Sequence, residues 1–188
     1  MIIKKLIMHN FGVYSSTNVL EFSSNKPVAL IGGMNGRGKT TILEAVLLSL
    51  YGSNSFAYTE SKFNTYGQYL KSYVNKANGT LETYLEIEFS MDDSDKEVYN
   101  VRREWDGKGI RVHEKISVKK NGEESAFLTE NWPMFVENIL PSALSSFFFF
   151  DGEKIAELAV EETSEQMKES IKAMLGITVL DVLQSDVN

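Results

Sequence analysis

Eight consecutive residues, Gly33-Met34-Asn35-Gly36-Arg37-Gly38-Lys39-Thr40, carry the most legible chemistry in this sequence of 188 residues. Gly33, Gly38, Lys39 and Thr40 fill the four constrained positions of G-x-x-x-x-G-K-[ST], a phosphate-cradling pattern. Glycines at this spacing let backbone N–H groups turn inward and approach phosphate oxygens with no side chain in the way. Lys39 supplies a mobile point charge for the β- and γ-phosphates of a nucleotide such as ATP. Thr40 offers a hydroxyl to Mg2+, and Thr41 can reach the α-phosphate. A chance match in a chain this long has a probability on the order of one per cent. The bland alternative is a glycine-rich turn with an incidental lysine.

Such a loop works only if a strand delivers it and a helix leaves it. Val28-Ala29-Leu30-Ile31 is wholly apolar, the pattern of a strand buried on both faces. Residues 41–51 carry Ile42, Ala45, Val46 and Leu50 at the spacing of an amphipathic helix, and Gly52 is its stop. Around this unit, residues 2–8 and 19–22 read as strands with a loop at 10–18. Residues 81–89, 98–105 and 110–118 alternate and are separated by turn residues, Asp106-Gly107-Lys108-Gly109 among them, which predicts an antiparallel meander. A short helix is expected over 66–74, a helix over 131–140 with Pro133 in its first turn, and a strand over 146–150. From residue 163 onward the spacing is helical.

Composition narrows the class. With 43% hydrophobic residues the chain can bury one real core. Its net charge of −7 argues against a broad phosphate-tracking surface. Arg102-Arg103 and Lys119-Lys120 are basic pairs among acidic neighbours. Cysteine is absent, which excludes disulfides and thiolate–metal sites, and two histidines are too few for a histidine-built metal centre. His9 reads as an ordinary strand residue. No apolar run approaches a membrane span and no signal peptide is evident, so a soluble, cytoplasmic protein is expected.

The wider wording of the loop is more specific than its minimal pattern. Asn35-Gly36-Arg37-Gly38-Lys39-Thr40-Thr41 followed by Ile42-Leu43-Glu44-Ala45 resembles the loop and helix of ABC-type heads in SMC-like ATPases. Lys5-Leu6-Ile7-Met8-His9-Asn10-Phe11-Gly12 and Leu20-Glu21-Phe22 look like the N-terminal strands of those heads. Ser146-Phe147-Phe148-Phe149-Phe150-Asp151-Gly152-Glu153-Lys154-Ile155 is similar to a segment of DndD-type ATPases of DNA phosphorothioation. Ile171-Lys172-Ala173-Met174-Leu175-Gly176-Ile177 resembles the turn that leads such proteins into a coiled coil. The resemblance implies an α/β P-loop NTPase lobe, with a mixed core sheet containing parallel strands and a flanking antiparallel sheet over 80–119. A head lobe is expected at 1–162 and a helical lead-in at 163–188. By the same resemblance Asp151 stands where most such heads place a glutamine that touches Mg2+ and the attacking water; helix capping is its other reading. Phe147 to Phe150 read as core. Gly12-Val13 replace an Arg-Ser pair that contacts nucleotide in DNA-repair relatives.

No Walker B segment and no Ser-Gly-Gly signature is found. In SMC-like proteins these come from the C-terminal half, so the chain reads as the N-terminal part of a longer ATPase, inactive or very slow by itself. The implied partners are a second head of the same protein, that C-terminal half, DNA, and other proteins of DNA sulfur modification. The alternatives are an SMC-like repair or defence ATPase outside sulfur modification, a nucleotide-sensing dimerisation module without turnover, and a small-molecule P-loop kinase.

Overall fold

The computed structural model describes residues 1–22, 28–34, 36–92, 95–109 and 111–149. It divides into two compact units, Met1–Ile139 and a second that begins at Leu140. The first unit is built on strands β1 (Ile2–Phe11), β2 (Tyr14–Glu21), β3 (Glu82–Ser90), β4 (Val98–Asp106), β5 (Lys115–Lys120) and β6 (Glu123–Glu124). They form one sheet in the order β2-β1-β3-β4-β5-β6. Every pairing in it is antiparallel. The expected meander is therefore present, and it is continuous with the N-terminal hairpin. Among the described residues no strands pair in parallel.

Alternation explains the sheet. Successive side chains point to opposite faces, and register lines up Leu6, Ile87, Val101 and Val118 in one row across four strands. All four are fully buried. The opposite face carries Glu86, Glu88, Asn100, Arg102 and Glu104, with His9 stacked on Tyr84 at 4.8 Å and the Arg102 guanidinium 3.7 Å above the same ring. His9 is a strand residue, as expected. The fold engages three of the four residues in the two basic pairs. Arg102 pairs with Glu86 and Glu104, Arg103 is buried, and Lys120 meets Glu97.

Helix α1 (Lys39–Tyr51) lies against the apolar face, where it touches β3 and β4. It is not the amphipathic helix its spacing suggested, because every residue from Ala45 to Tyr51 is buried. A helix that is apolar on all sides belongs in the middle of a core. Two buried donors finish its C-terminal end: Arg103 Nε donates to the Ser49 carbonyl at 2.9 Å and Trp132 Nε1 to the Leu50 carbonyl at 2.7 Å. A cation there also complements the negative end of the helix dipole. Gly52 ends the helix as expected, at φ 56°. Its Cα faces the guanidinium so closely that a Cβ would lie 2.4 Å from Arg103 Nη1. Beyond it, short helices α2 (Phe56–Thr59) and α3 (Tyr66–Ser72) gather Tyr58, Phe63, Tyr66, Tyr69 and Tyr73 into one cluster of edge-on, tilted and stacked rings.

Four expectations are corrected here. Residues 10–18 are not a loop: β1 and β2 run on to a two-residue turn at Gly12-Val13, with Asn10 buried and its Oδ1 accepting from Ser16 N at 2.9 Å. The third meander strand starts at Lys115, not near 110. Helix α4 (Ala126–Ile139) starts well before Asn131, so Pro133 sits in its interior. Ser125 starts it, since its carbonyl accepts from Thr129 N and its hydroxyl from Leu128 N, while Ser125 N donates to the Val118 carbonyl. The strand expected over 146–150 is replaced, as far as Phe148, by helix α5 (Ser142–Phe148), which opens after Pro141 at φ −54°. A phenylalanine run has little preference of its own and becomes a strand only beside another strand.

Candidate nucleotide-binding site

The loop that precedes α1 has the backbone its chemistry requires. Gly36 and Gly38 adopt φ of 75° and 98°, a left-handed region that favours glycine. Gly38 is the N-cap of α1, and its carbonyl accepts from Ile42 N at 3.1 Å. That bond turns the carbonyl along the helix axis. The N–H groups of the first turn, at Lys39, Thr40 and Thr41, have no helical acceptor and form the positive end of the helix. Arg37 N donates to the Met34 carbonyl at 3.3 Å and closes the turn of the loop. The Lys39 ammonium reaches back to the carbonyls of Gly33 at 2.7 Å and Met34 at 3.1 Å. Lys39 and Thr40 are exposed at the mouth of the loop, and Gly38 is buried beneath them.

A buttress supports the loop from the β1–β2 turn, and reading the sequence did not find it. The Tyr14 hydroxyl donates to the Gly38 carbonyl at 3.2 Å. A Cβ on Gly38 would lie 2.7 Å from Val13 Cγ2, 2.8 Å from the Tyr14 hydroxyl and 2.9 Å from Tyr14 Cε2. One on Gly12 would lie 2.5 Å from Thr41 Cγ2. Gly12 is held from behind, since its N–H donates to the Tyr73 carbonyl at 2.7 Å and its carbonyl accepts from Asn75 Nδ2 at 2.8 Å. Burial raises the Tyr14 phenol above its ordinary pKa, so the hydroxyl stays protonated and remains a donor. The signal that could have revealed this was the pair Gly12-Val13 as a two-residue hairpin turn.

Other expected site features fall differently. Residues 28–34 have no strand pairing among the described residues, and Leu30 is 94% exposed. The run is apolar enough for a buried strand, but a strand is held by neighbours on its edges and faces. Asn35 and Asp151 lie outside the described residues, as do residues 152–188. No cluster of three metal-ligating side chains occurs among the described residues, and no described helix is long and apolar enough to cross a membrane.

A glycine-lined phosphate loop at the N-terminus of a buried helix, packed on an antiparallel sheet, defines a P-loop ATPase domain of mixed α/β class. The model of the AAA domain family matches residues 5–184, and the chain belongs to that family. It is 29% identical over 190 aligned residues to a DNA double-strand break repair Rad50 ATPase of Pyrococcus abyssi, covering 98% of this chain and 19% of that protein. Another Rad50 ATPase, of Methanocaldococcus jannaschii, is 29% identical over 182 residues, 94% of this chain and 16% of its own length. A component of the nuclease SbcCD of Treponema pallidum is 38% identical over 48 residues, 26% of this chain and 5% of that protein. The chain thus spans less than a fifth of these relatives. The fold is that of the N-terminal lobe of an SMC- or Rad50-like head.

Proposed function

We propose that this chain is the ATP-binding lobe of a longer SMC-like ATPase that works on DNA. The observation that carries the reading is the aim of the loop: left-handed glycines, a tied-back carbonyl at Gly38, and an exposed ammonium on Lys39 at the positive end of α1. A triphosphate fits that arrangement by charge and by backbone shape. Residues 33–38, with Asn35 and Arg37 among them, are the proposed cradle for the β-phosphate, which the Arg37 N–H would join only on giving up its bond to the Met34 carbonyl. Lys39 exchanges its two carbonyl partners for phosphate oxygens, and Thr41 reaches the α-phosphate. The exposed Thr40 hydroxyl, and Asp151 from the DndD-like segment, are the candidate holders of Mg2+. When bound, Mg2+ neutralises charge on the β- and γ-oxygens.

Turnover in this reading needs the other half of the protein, with its Walker B carboxylates, and the signature motif of a second head. The bare apolar run at residues 28–31 supports a partner strand from outside the described residues. ATP favours the closed pair of heads over the separated ones and so drives the cycle. The chain by itself turns ATP over slowly or not at all. Sulfur modification of DNA is the finer assignment, supported by the likeness of residues 146–155 to DndD-type ATPases; the other sulfur-modification proteins are then its partners. A second reading, double-strand break repair, is favoured by the Rad50 relatives.

Calorimetric titration of Mg·ATP into the chain and into Lys39→Ala tests the site. Affinity should fall at least about tenfold in the variant, the scale of losing a charge-assisted contact. Equal affinities would remove the site assignment. To separate the biological readings, phosphorothioate dinucleotides would be quantified in host DNA with and without the intact gene. An unchanged sulfur content would leave the repair reading standing.

A further inference from the structure

We propose that Tyr14 is a positioning residue for the phosphate loop, aiming its amides by holding the Gly38 carbonyl away from the bound anion. This rests on the reading that the loop grips a polyphosphate. A loop that binds anions must present N–H groups and withdraw C=O groups, because a carbonyl oxygen facing a phosphate repels it. Gly38 is where this matters most, as the residue that joins the loop to the helix. Its carbonyl has two lone pairs, and the structure supplies a donor for each: Ile42 N at 3.1 Å from the helix and the Tyr14 hydroxyl at 3.2 Å from the hairpin.

The hairpin is a firm base for that contact. Asn10 accepts from Ser16 N across the turn, and the Asn10 carbonyl accepts from Asn75 N at 2.7 Å. Phe11 bridges to Val74, and Gly12 is bonded to both Tyr73 and Asn75. Tyr14 therefore approaches the loop from a turn held on two sides. The lack of a Cβ at Gly38 lets the phenol come within hydrogen-bond distance of the carbonyl. Tyr14 touches the loop and not the reacting atoms, so its removal should weaken anion binding without abolishing it.

Wild type, Tyr14→Phe, Tyr14→Met and Lys39→Ala chains would each be titrated with Mg·ATP and with inorganic tripolyphosphate, and their melting temperatures measured without ligand. Tyr14→Phe should bind both ligands about five-fold more weakly, the scale of one lost hydrogen bond. Its melting temperature should stay within a few degrees of wild type. Loss for ATP alone would place Tyr14 against the nucleoside and overturn the proposal. So would unchanged binding of both ligands while Lys39→Ala fails to bind. A melting loss in both hydroxyl-free variants that tracks the affinity loss would make Tyr14 merely structural and also overturn it. A wild-type chain that binds neither ligand would overturn the phosphate-loop reading itself.

Discussion

Replacing Arg103 with methionine tests how the central helix is held. Arg103 is 5% exposed, and its guanidinium donates to three groups: the Ser49 carbonyl at 2.9 Å, the Leu50 carbonyl at 3.4 Å and Glu114 Oε2 at 2.6 Å. Glu114 is itself mostly buried, and its other oxygen accepts from the Tyr66 hydroxyl at 2.7 Å. Methionine keeps much of the volume and removes the charge. Glu114 would then be left with one donor, and the Ser49 carbonyl would lose its cap. Breaking a buried pair by deleting one partner costs roughly 3–5 kcal/mol, because the remaining charge is uncompensated. That is a large part of the roughly 5–15 kcal/mol available to a domain, and it corresponds to a fall in Tm of roughly 10 °C for a unit of this size. Glu114→Gln should cost less, about 1–3 kcal/mol, since Arg103 keeps two carbonyl acceptors. Urea unfolding of both single variants and the double variant closes a cycle, and the double should lose less than the sum. A loss under about 1 kcal/mol for Arg103→Met, or strict additivity, would refute the claim that this ion pair anchors the end of the phosphate-loop helix.

Three further outcomes follow from the same packing. Gly52→Ala must place a Cβ 2.4 Å from the buried guanidinium at φ 56°; a loss of roughly 2–4 kcal/mol is expected, and an unchanged urea midpoint would contradict it. Pro133 stands exposed inside α4 without an N–H for the helix, so Pro133→Ala should stabilise by about 1–2 kcal/mol, and a lower midpoint would count against that account. Burial, with Glu114 beside Tyr66 and with Tyr69 and Glu44 beside Tyr73, pushes these two phenols far above their ordinary pKa; burial is also the main influence that carries Tyr69 to about 12. Above about pH 10 the unfolded chain releases phenolic protons that the folded one keeps, so stability should fall as pH rises from there. Absorbance at 295 nm recorded with far-ultraviolet dichroism would show ionisation accompanying unfolding, and phenols titrating near pH 10 with the helices intact would overturn it.

Much of this protein was legible in the chain because its signals are local. Alternation along residues 81–105 gives β3 and β4 directly, since one face of each strand must be buried. The glycine spacing before Lys39 is a statement about backbone torsions and charge, and the folded loop has those torsions. Gly52 closes α1 for the same kind of reason. Whatever depends on a neighbour distant in sequence was not legible. The apolar run at Val28-Ala29-Leu30-Ile31 resembles a buried strand, but strands exist by pairing, and nothing within four residues says whether a pair is present. Phe148 sits in a helix and Pro133 inside another because capping at Pro141 and Ser125, and contact with Val118, outweigh their own weak or adverse preferences. Arg103 read as half of a basic pair until the fold turned it inward onto the end of α1. Tyr14 looked like a loop residue until the hairpin brought its hydroxyl to Gly38. Local spacing marked which residues are candidates to grip an anion; only tertiary packing decided which donors meet the Gly38 carbonyl, because one of them arrives from another element.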